Sequence, residues 1–101
     1  NNNKKKLFII GAGPSGVEIA CKVNDIYKNK FDISIVERSN EILSKNKIFN
    51  REEAEKALKR RNINLILNST VQEVSKQKIL ILNDAGVKEL DHNFVIWTAG
   101  V

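Results

Sequence analysis

The sequence predicts an α/β domain in three layers, with a central parallel sheet, helices packed on it, and an antiparallel meander. Three observations predict it. The first is the apolar run Leu7-Phe8-Ile9-Ile10, which ends at Gly11; a short continuous run bounded by glycine suits a strand buried on both faces of a parallel sheet. The second is that residues 7–37 read strand, glycine turn, helix, strand, in about the 30 residues that a βαβ unit needs. The third is a succession of short strand-like segments after residue 64, with the turn Asn83-Asp84-Ala85-Gly86 between two of them. Such closely spaced strands read as hairpins rather than further βαβ units.

Taken in order, residues 14–28 carry a small and apolar stripe of Gly16, Ile19, Ala20, Val23, Ile26 and Tyr27 at spacings of 3 and 4, with Glu18, Lys22 and Asp25 off it. That period predicts a helix, and Pro14 stands at its start, where a missing N–H costs nothing. A second strand follows at Phe31 to Val36, with Ile33, Ile35 and Val36 as its apolar content and Glu37 at its end. Parallel strands joined this way cross over right-handed. The spacing predicts a second helix over 50–62, with Asn50 as N-cap and Glu53 completing a capping box. Glu52 and Glu53 then favour the positive end of its dipole, and Lys59, Arg60 and Arg61 the negative end. Ala54, Ala57, Leu58 and Arg61 share its thin buried face. Strands are expected at Asn64 to Leu67, Thr70 to Val74, Lys78 to Leu82, Val87 to Leu90 and Phe94 to Trp97, the last running into Thr98-Ala99-Gly100. Trp97 is expected in the core.

With 101 residues there is room for one domain. A hydrophobic share of 42% supports a packed core, and 29% charged residues argue against a membrane-embedded chain. No stretch approaches the roughly 20 apolar residues that span a bilayer, so no membrane contact is expected from this segment. The polar, basic Asn1 to Lys6 is not a secretory signal and reads as a solvated lead-in. The chain has no Met, its first apolar run begins at Leu7 and its last ends at Val101. Residues 1–101 are therefore expected to be one domain excised from a larger protein.

The net charge of +5 raises the question of nucleic acid. Its distribution answers against it. Residues 1–50 carry nine Lys/Arg against five Asp/Glu, and residues 51–101 carry eight against seven. No aromatic residues alternate with the basic ones as a stacking platform requires; a modest positive charge instead suits a ligand with two phosphates. Cys21 is the one cysteine, which rules out an internal disulfide and a Cys-x-x-Cys redox pair. It falls in a helix pattern as a small apolar residue, compatible with a reducing, cytoplasmic setting. His92, the one histidine, follows Asp91. It is expected at the surface, and a lone histidine supports no metal site.

The chemistry concentrates at Gly11-Ala12-Gly13-Pro14-Ser15-Gly16, a G-x-G-x-x-G sequence between a buried strand and an amphipathic helix, with Glu37 standing 21 positions after Gly16 at the end of the next strand. That context marks a Rossmann-type, FAD/NAD(P)-binding arrangement. Gly11 permits the tight turn out of the strand. Gly13, lacking a Cβ, lets a pyrophosphate approach the backbone, and Gly16 lets the helix pack closely on the sheet. The free amides around Pro14 and Ser15 and the positive helix end face the phosphates. Glu37 is placed to accept hydrogen bonds from both adenosine ribose hydroxyls and to repel a 2′-phosphate, which favours NAD over NADP. Arg38, directly after it, is of the kind that serves a 2′-phosphate. The same fingerprint also fits FAD.

These residues resemble the nicotinamide-nucleotide domain of the pyridine nucleotide–disulfide oxidoreductase superfamily, and within it the type II NADH dehydrogenases (NADH:quinone oxidoreductases). The resemblance is carried by Gly-Ala-Gly-Pro-Ser-Gly-Val-Glu-Ile-Ala at 11–20, by Ile-Val-Glu-Arg at 35–38 with Ile42-Leu43 after it, by the helix ending at Asn62-Ile63, and by Val-Ile-Trp-Thr-Ala-Gly-Val at 95–101. It implies that Glu18 lies near the nicotinamide, although an exposed pair with Lys22 is the simpler use of that side chain. It implies that Ala99 and Gly100 pass beside the nucleotide. It also implies an NAD(H) domain inserted in an FAD domain of the same parent chain, with hydride passing from C4 of NADH to N5 of FAD and electrons onward to a quinone-like acceptor. The parent is then peripheral at a membrane surface or cytoplasmic. The alternatives are an FAD-binding domain, the NAD module of another flavoprotein of the superfamily (including one fused to a selenide water dikinase), and an NAD-binding module without turnover.

Overall fold

The computed structural model describes residues 4–44 and 48–98, and only the backbone of residues 48 and 49. Its elements run β1 (Lys5–Ile10), α1 (Pro14–Ile26), β2 (Phe31–Val36), α2 (Ile48–Arg60), β3 (Asn64–Ile66), β4 (Thr70–Val74), β5 (Lys78–Asn83), β6 (Gly86–Asp91) and β7 (Phe94–Trp97). The basic lead-in is therefore shorter than expected, because Lys5 and Lys6 already pair with Phe31 and Asp32.

Four strands form a parallel sheet in the order β3-β2-β1-β7, and three form an antiparallel sheet in the order β4-β5-β6. Two successive right-handed crossovers carry the chain from β1 outward to β3, which puts α1 and α2 on one face. The meander β4–β6 then covers the other face, and β7 returns to the far side of β1. Side-chain alternation along β1 shows the result. Leu7 and Ile9 pack with Ile33, Ile35, Val17, Ala20 and Leu58 on the helix side. Phe8 and Ile10 pack with Val36, Ile79 and Ile81 on the meander side. This is why the run Leu7–Ile10 is unbroken. Each such side chain, fully buried, is worth about 1.5–3 kcal/mol.

The meander turns as the sequence asks. Asp84 and Ala85 link β5 to β6, Gly86 has φ 121, and the Ala85 amide donates to Asn83 Oδ1 at 2.8 Å. Lys78 and Asp91, opposite each other on β5 and β6, form an ion pair.

Both helices depart from the sequence reading at their ends. On α1 the buried residues are Gly16, Val17, Ala20 and Asn24. Ile26 and Tyr27, at the end of the helix, are exposed rather than buried. Tyr27 finds a partner instead in Phe31, edge to face with centroids 5.5 Å apart, and Phe31 meets Phe94 in the same way at 5.8 Å. Helix α2 begins at Ile48, so Asn50 lies inside it and does not cap it, and Glu52 and Glu53 fall beyond the first turn. Its start is held by a tertiary contact: Arg51 Nε donates to the Ile42 carbonyl at 3.1 Å, and its guanidinium lies 3.2 Å from Glu41. Its end is a Schellman closure. The Ile63 amide donates to Leu58 O at 3.0 Å, the Asn62 amide to Lys59 O at 3.0 Å, and Asn62 takes φ 56. Leu58 and Ile63, the accompanying apolar pair, are both buried.

Arg61 joins the two helices. Its Nε and Nη2 donate to the two carboxylate oxygens of Asp25, each at 2.8 Å, and Nη1 donates to Ala57 O at 2.9 Å. The hydrogen bond from Arg61 holds the Asp25 carboxyl below its usual range. A lysine offers one point donor in place of this fork. Arg61→Lys is expected to lower the melting temperature slightly, by less than any core truncation, since the pair is solvent-exposed; thermal melts of both forms check this.

Candidate functional site

The candidate site is assembled where β1 hands the chain to α1. Gly11 leaves the strand at φ 111, a conformation glycine adopts freely, and its amide donates to Val36 O at 2.8 Å. Gly13 is the N-cap of α1 in extended backbone, and no side chain caps the helix. The first helical hydrogen bond runs from the Val17 amide to Gly13 O at 3.1 Å. Pro14 has no N–H, so the amides of Ser15 and Gly16 belong to the unpaired first turn, at the positive end of the helix dipole.

The second and third glycines do different work. A Cβ on Gly13 would meet nothing within 4 Å, so the backbone there is bare to the cleft. A Cβ on Gly16 would lie 2.0 Å from Gly11 O and 2.9 Å from Thr98 Oγ1. Gly16 is thus needed for the fold, and Gly13 leaves room for a ligand. Thr98 holds the other side of the bend. Its hydroxyl is 2.9 Å from Ile10 O and 3.2 Å from Gly11 O, and its amide donates to Ile10 O at 2.9 Å.

Glu37 ends β2 one strand away. Its Oε1 accepts from the Ala12 amide and its Oε2 from the Ser39 amide, both at 2.8 Å. Burial pushes the carboxyl pKa up, but the Ala12 and Ser39 hydrogen bonds and the neighbouring Arg38 charge outweigh it, and the net direction is down. The group is a carboxylate at neutral pH. Each oxygen keeps a second lone-pair site for another donor.

Around these residues lies a cleft of about 560 Å³. It is lined by Gly11, Ala12, Gly13, Pro14, Glu37, Arg38 and Ser39 together with Ser69, Thr70, Val71 and Trp97. Backbone bonds hold this lining together: Asn68 N–H to Ser39 O at 2.9 Å, Ser69 N–H to Glu37 O at 3.0 Å, and Leu43 N–H to Ala12 O at 2.8 Å. The cleft opens at the carboxyl ends of β1, β2 and β7, where the chain switches from building outward to returning across β1. Open α/β sheets bind ligands at that point.

Of the residues read from sequence, Gly11, Gly13, Pro14, Glu37 and Arg38 come together in this lining. Ser15 and Gly16 follow at the start of α1, the first exposed and the second buried. Glu18 stands apart, exposed, with its carboxylate 3.9 Å from Lys22 Nζ. Ala99 and Gly100 lie outside the described residues.

Two expectations are corrected. Trp97 is not core but 60% exposed, on the cleft wall. His92 is not at the surface: it is 9% exposed, its Nε2 lies 2.7 Å from Ser75 O, and its buried Nδ1 has no protein partner. The link between β6 and β7 tucks the ring against the β4–β5 turn, a contact between residues distant in sequence. Cys21 is half-buried, and burial raises its thiol pKa. Ser69, Thr70 and Val71 carry no local signal that places them in a site. Among the described residues no group of His, Cys, Asp and Glu is placed to hold a metal, and no helix is long and apolar enough to cross a membrane.

The comparisons with known proteins agree with one another. The chain is 31% identical over 97 residues to demethylphylloquinone reductase NdbB of Synechocystis, covering 96% of this chain and 24% of that protein. It is 28% identical over 110 residues to the mitochondrial external alternative NAD(P)H-ubiquinone oxidoreductase B3 of Arabidopsis thaliana, covering 94% of this chain and 18% of that one. The solved structure of NDH2 from Plasmodium falciparum in complex with NADH matches with a TM-score of 0.80 and 28% identity, over 97% of this chain and 23% of that one. The chain thus spans about a quarter of the length of these relatives or less. The family model for pyridine nucleotide-disulphide oxidoreductases matches residues 1–101, and with this fold and this glycine bend the chain belongs to that family.

Proposed function

We propose that this chain is the NAD(H)-binding domain of a larger FAD-dependent, NADH dehydrogenase-like oxidoreductase. The observation that carries the reading is the joint geometry of Gly13 and Glu37. Bare backbone at a helix N-terminus and a carboxylate at the neighbouring strand tip face one cleft. A pyrophosphate needs the first, and a ribose diol needs the second. The relatives named for NAD(P)H-linked quinone reduction and the NDH2–NADH complex support the same reading.

In this reading the unpaired amides of Ser15 and Gly16 bind the diphosphate, and Gly13 admits it to hydrogen-bonding distance. Glu37 accepts from the adenosine ribose hydroxyls while its bonds to the Ala12 and Ser39 amides fix its orientation. Its negative charge disfavours a 2′-phosphate. Glu18 and the segment Ala99-Gly100 are assigned to the nicotinamide half. The bound nicotinamide would supply hydride chemistry, with a flavin held by the FAD domain of the same parent chain as its acceptor and a quinone-like molecule as the final electron acceptor. This chain's contribution is positioning, which on its own can supply a large part of a rate enhancement.

Calorimetric titration of the chain with NADH, NADPH and FAD tests the assignment. The expected result is saturable NADH binding, weaker NADPH binding and no FAD binding. Tight FAD binding without an NADH response would reassign the cleft to the flavin.

A further inference from the structure

We propose that Trp97 is the stacking surface for the nicotinamide-side nucleoside of the bound dinucleotide; this rests on the NAD(H) reading above. The argument begins with the strand order. In β3-β2-β1-β7, the glycine bend follows β1, Glu37 ends β2 on one side of it, and Trp97 ends β7 on the other. A dinucleotide is two nucleosides joined by a pyrophosphate. With the pyrophosphate on the bend and the adenosine ribose on Glu37, the second nucleoside extends toward β7.

Trp97 is held at that place. It stands opposite Ile10 in register, immediately before Gly11. The next residue, Thr98, is tied through its amide and hydroxyl to Ile10 O and Gly11 O. Along β7, Ile96 packs into the helix-side core and Val95 into the meander-side core. Alternation therefore sends Trp97 to the meander side, where it lines the cleft that Val71 of the meander also lines. Its indole is left 60% exposed. A large aromatic face anchored to a rigid bend and open to a cleft is suited to stacking on a planar heterocycle, as aromatic side chains do with nucleobases.

The test compares NADH with ADP-ribose, which has the pyrophosphate and the adenosine half but no nicotinamide. For Trp97→Ala the expected result is a fall in NADH affinity of about tenfold with ADP-ribose affinity unchanged, and Trp97→Phe should recover most of the loss. Trp97 is the one tryptophan in the chain, so its emission reports on this position. NAD⁺, which does not absorb where indole emits, should quench it in the wild type, whereas ADP-ribose should not. Equal losses for both ligands, or no loss for either, would overturn the proposal while leaving the NAD(H) reading intact. Failure of the wild type to bind either ligand would defeat the reading itself. Because the side chain is exposed, melting temperatures of the variants should stay near the wild-type value, and if Trp97→Ala melts early it is replaced in the comparison by Trp97→Leu, which keeps apolar bulk without an aromatic face.

Discussion

Gly16→Ala is expected to lower the melting temperature by on the order of 10 °C or more, whereas Gly13→Ala should move it by about 2 °C or less and abolish tight nucleotide binding. The difference follows from what each added methyl meets. At Gly16 it falls 2.0 Å from the Gly11 carbonyl oxygen, a backbone atom that cannot swing aside, and 2.9 Å from Thr98 Oγ1. Moving Gly11 O away from the methyl also disturbs the Thr98 hydroxyl that is 3.2 Å from it, and with it the junction of β1 and β7. Overpacking of this kind costs about 1–3 kcal/mol before any hydrogen bond is lost, and each kcal/mol is worth roughly 4–8 °C in a domain of this size. At Gly13 the methyl enters open space in an extended conformation that alanine adopts readily. The fold is indifferent to it, but in the NAD(H) reading proposed above that space is where the pyrophosphate binds. Thermal melts and NADH titrations on the two variants separate these effects. Equal destabilisation by both would mean that the bend is purely structural.

This contrast also marks what the sequence could say. The spacing from Leu7 through the glycines to Glu37 identified the strand, the bend, the helix and the acidic strand end, because each rests on contacts within one βαβ unit. The hairpin at Asn83–Gly86 was legible for the same reason: the turn chemistry is local, and Asn83 caps it with its own side chain. Other features depend on elements far apart in the chain. Whether Trp97 is core or cleft wall turns on which face of the sheet the meander covers and how far it reaches. Whether His92 is exposed turns on the β4–β5 turn lying against the β6–β7 link. Asn50 carries a sound cap signal, yet the start of α2 is governed by Arg51 reaching Ile42 and Glu41. Ser69 to Val71 enter the site because the chain after β3 is zipped to the chain after β2, through Asn68 to Ser39 and Ser69 to Glu37. No pattern of residue types announces that pairing.

Glu37→Gln should weaken NADH binding by about tenfold, narrow the preference for NADH over NADPH, and destabilise the chain in a pH-dependent way. In the wild type both carboxylate oxygens are acceptors, one for the Ala12 amide and one for the Ser39 amide. A glutamine has a single acceptor oxygen, so its NH₂ must face one of these two N–H groups. A part-buried donor left unpaired in this way costs about 1–3 kcal/mol. In the NAD(H) reading proposed above, the variant would also remove the charge that disfavours a 2′-phosphate, while Arg38 remains in the cleft lining. The sign of the pH effect follows from the direction of the pKa shift. The folded-state value is lowered from the ordinary 4.5, so the carboxylate's stabilising contribution is fully present above that value. It is lost as pH falls through the lower folded value. The gap in melting temperature between wild type and Glu37→Gln should therefore be constant near neutrality and shrink as the solution is acidified below 4.5. A gap independent of pH down to the acid transition would show that the charge on Glu37 does not stabilise the bend. Undiminished NADH affinity in the variant would take Glu37 out of the ribose site.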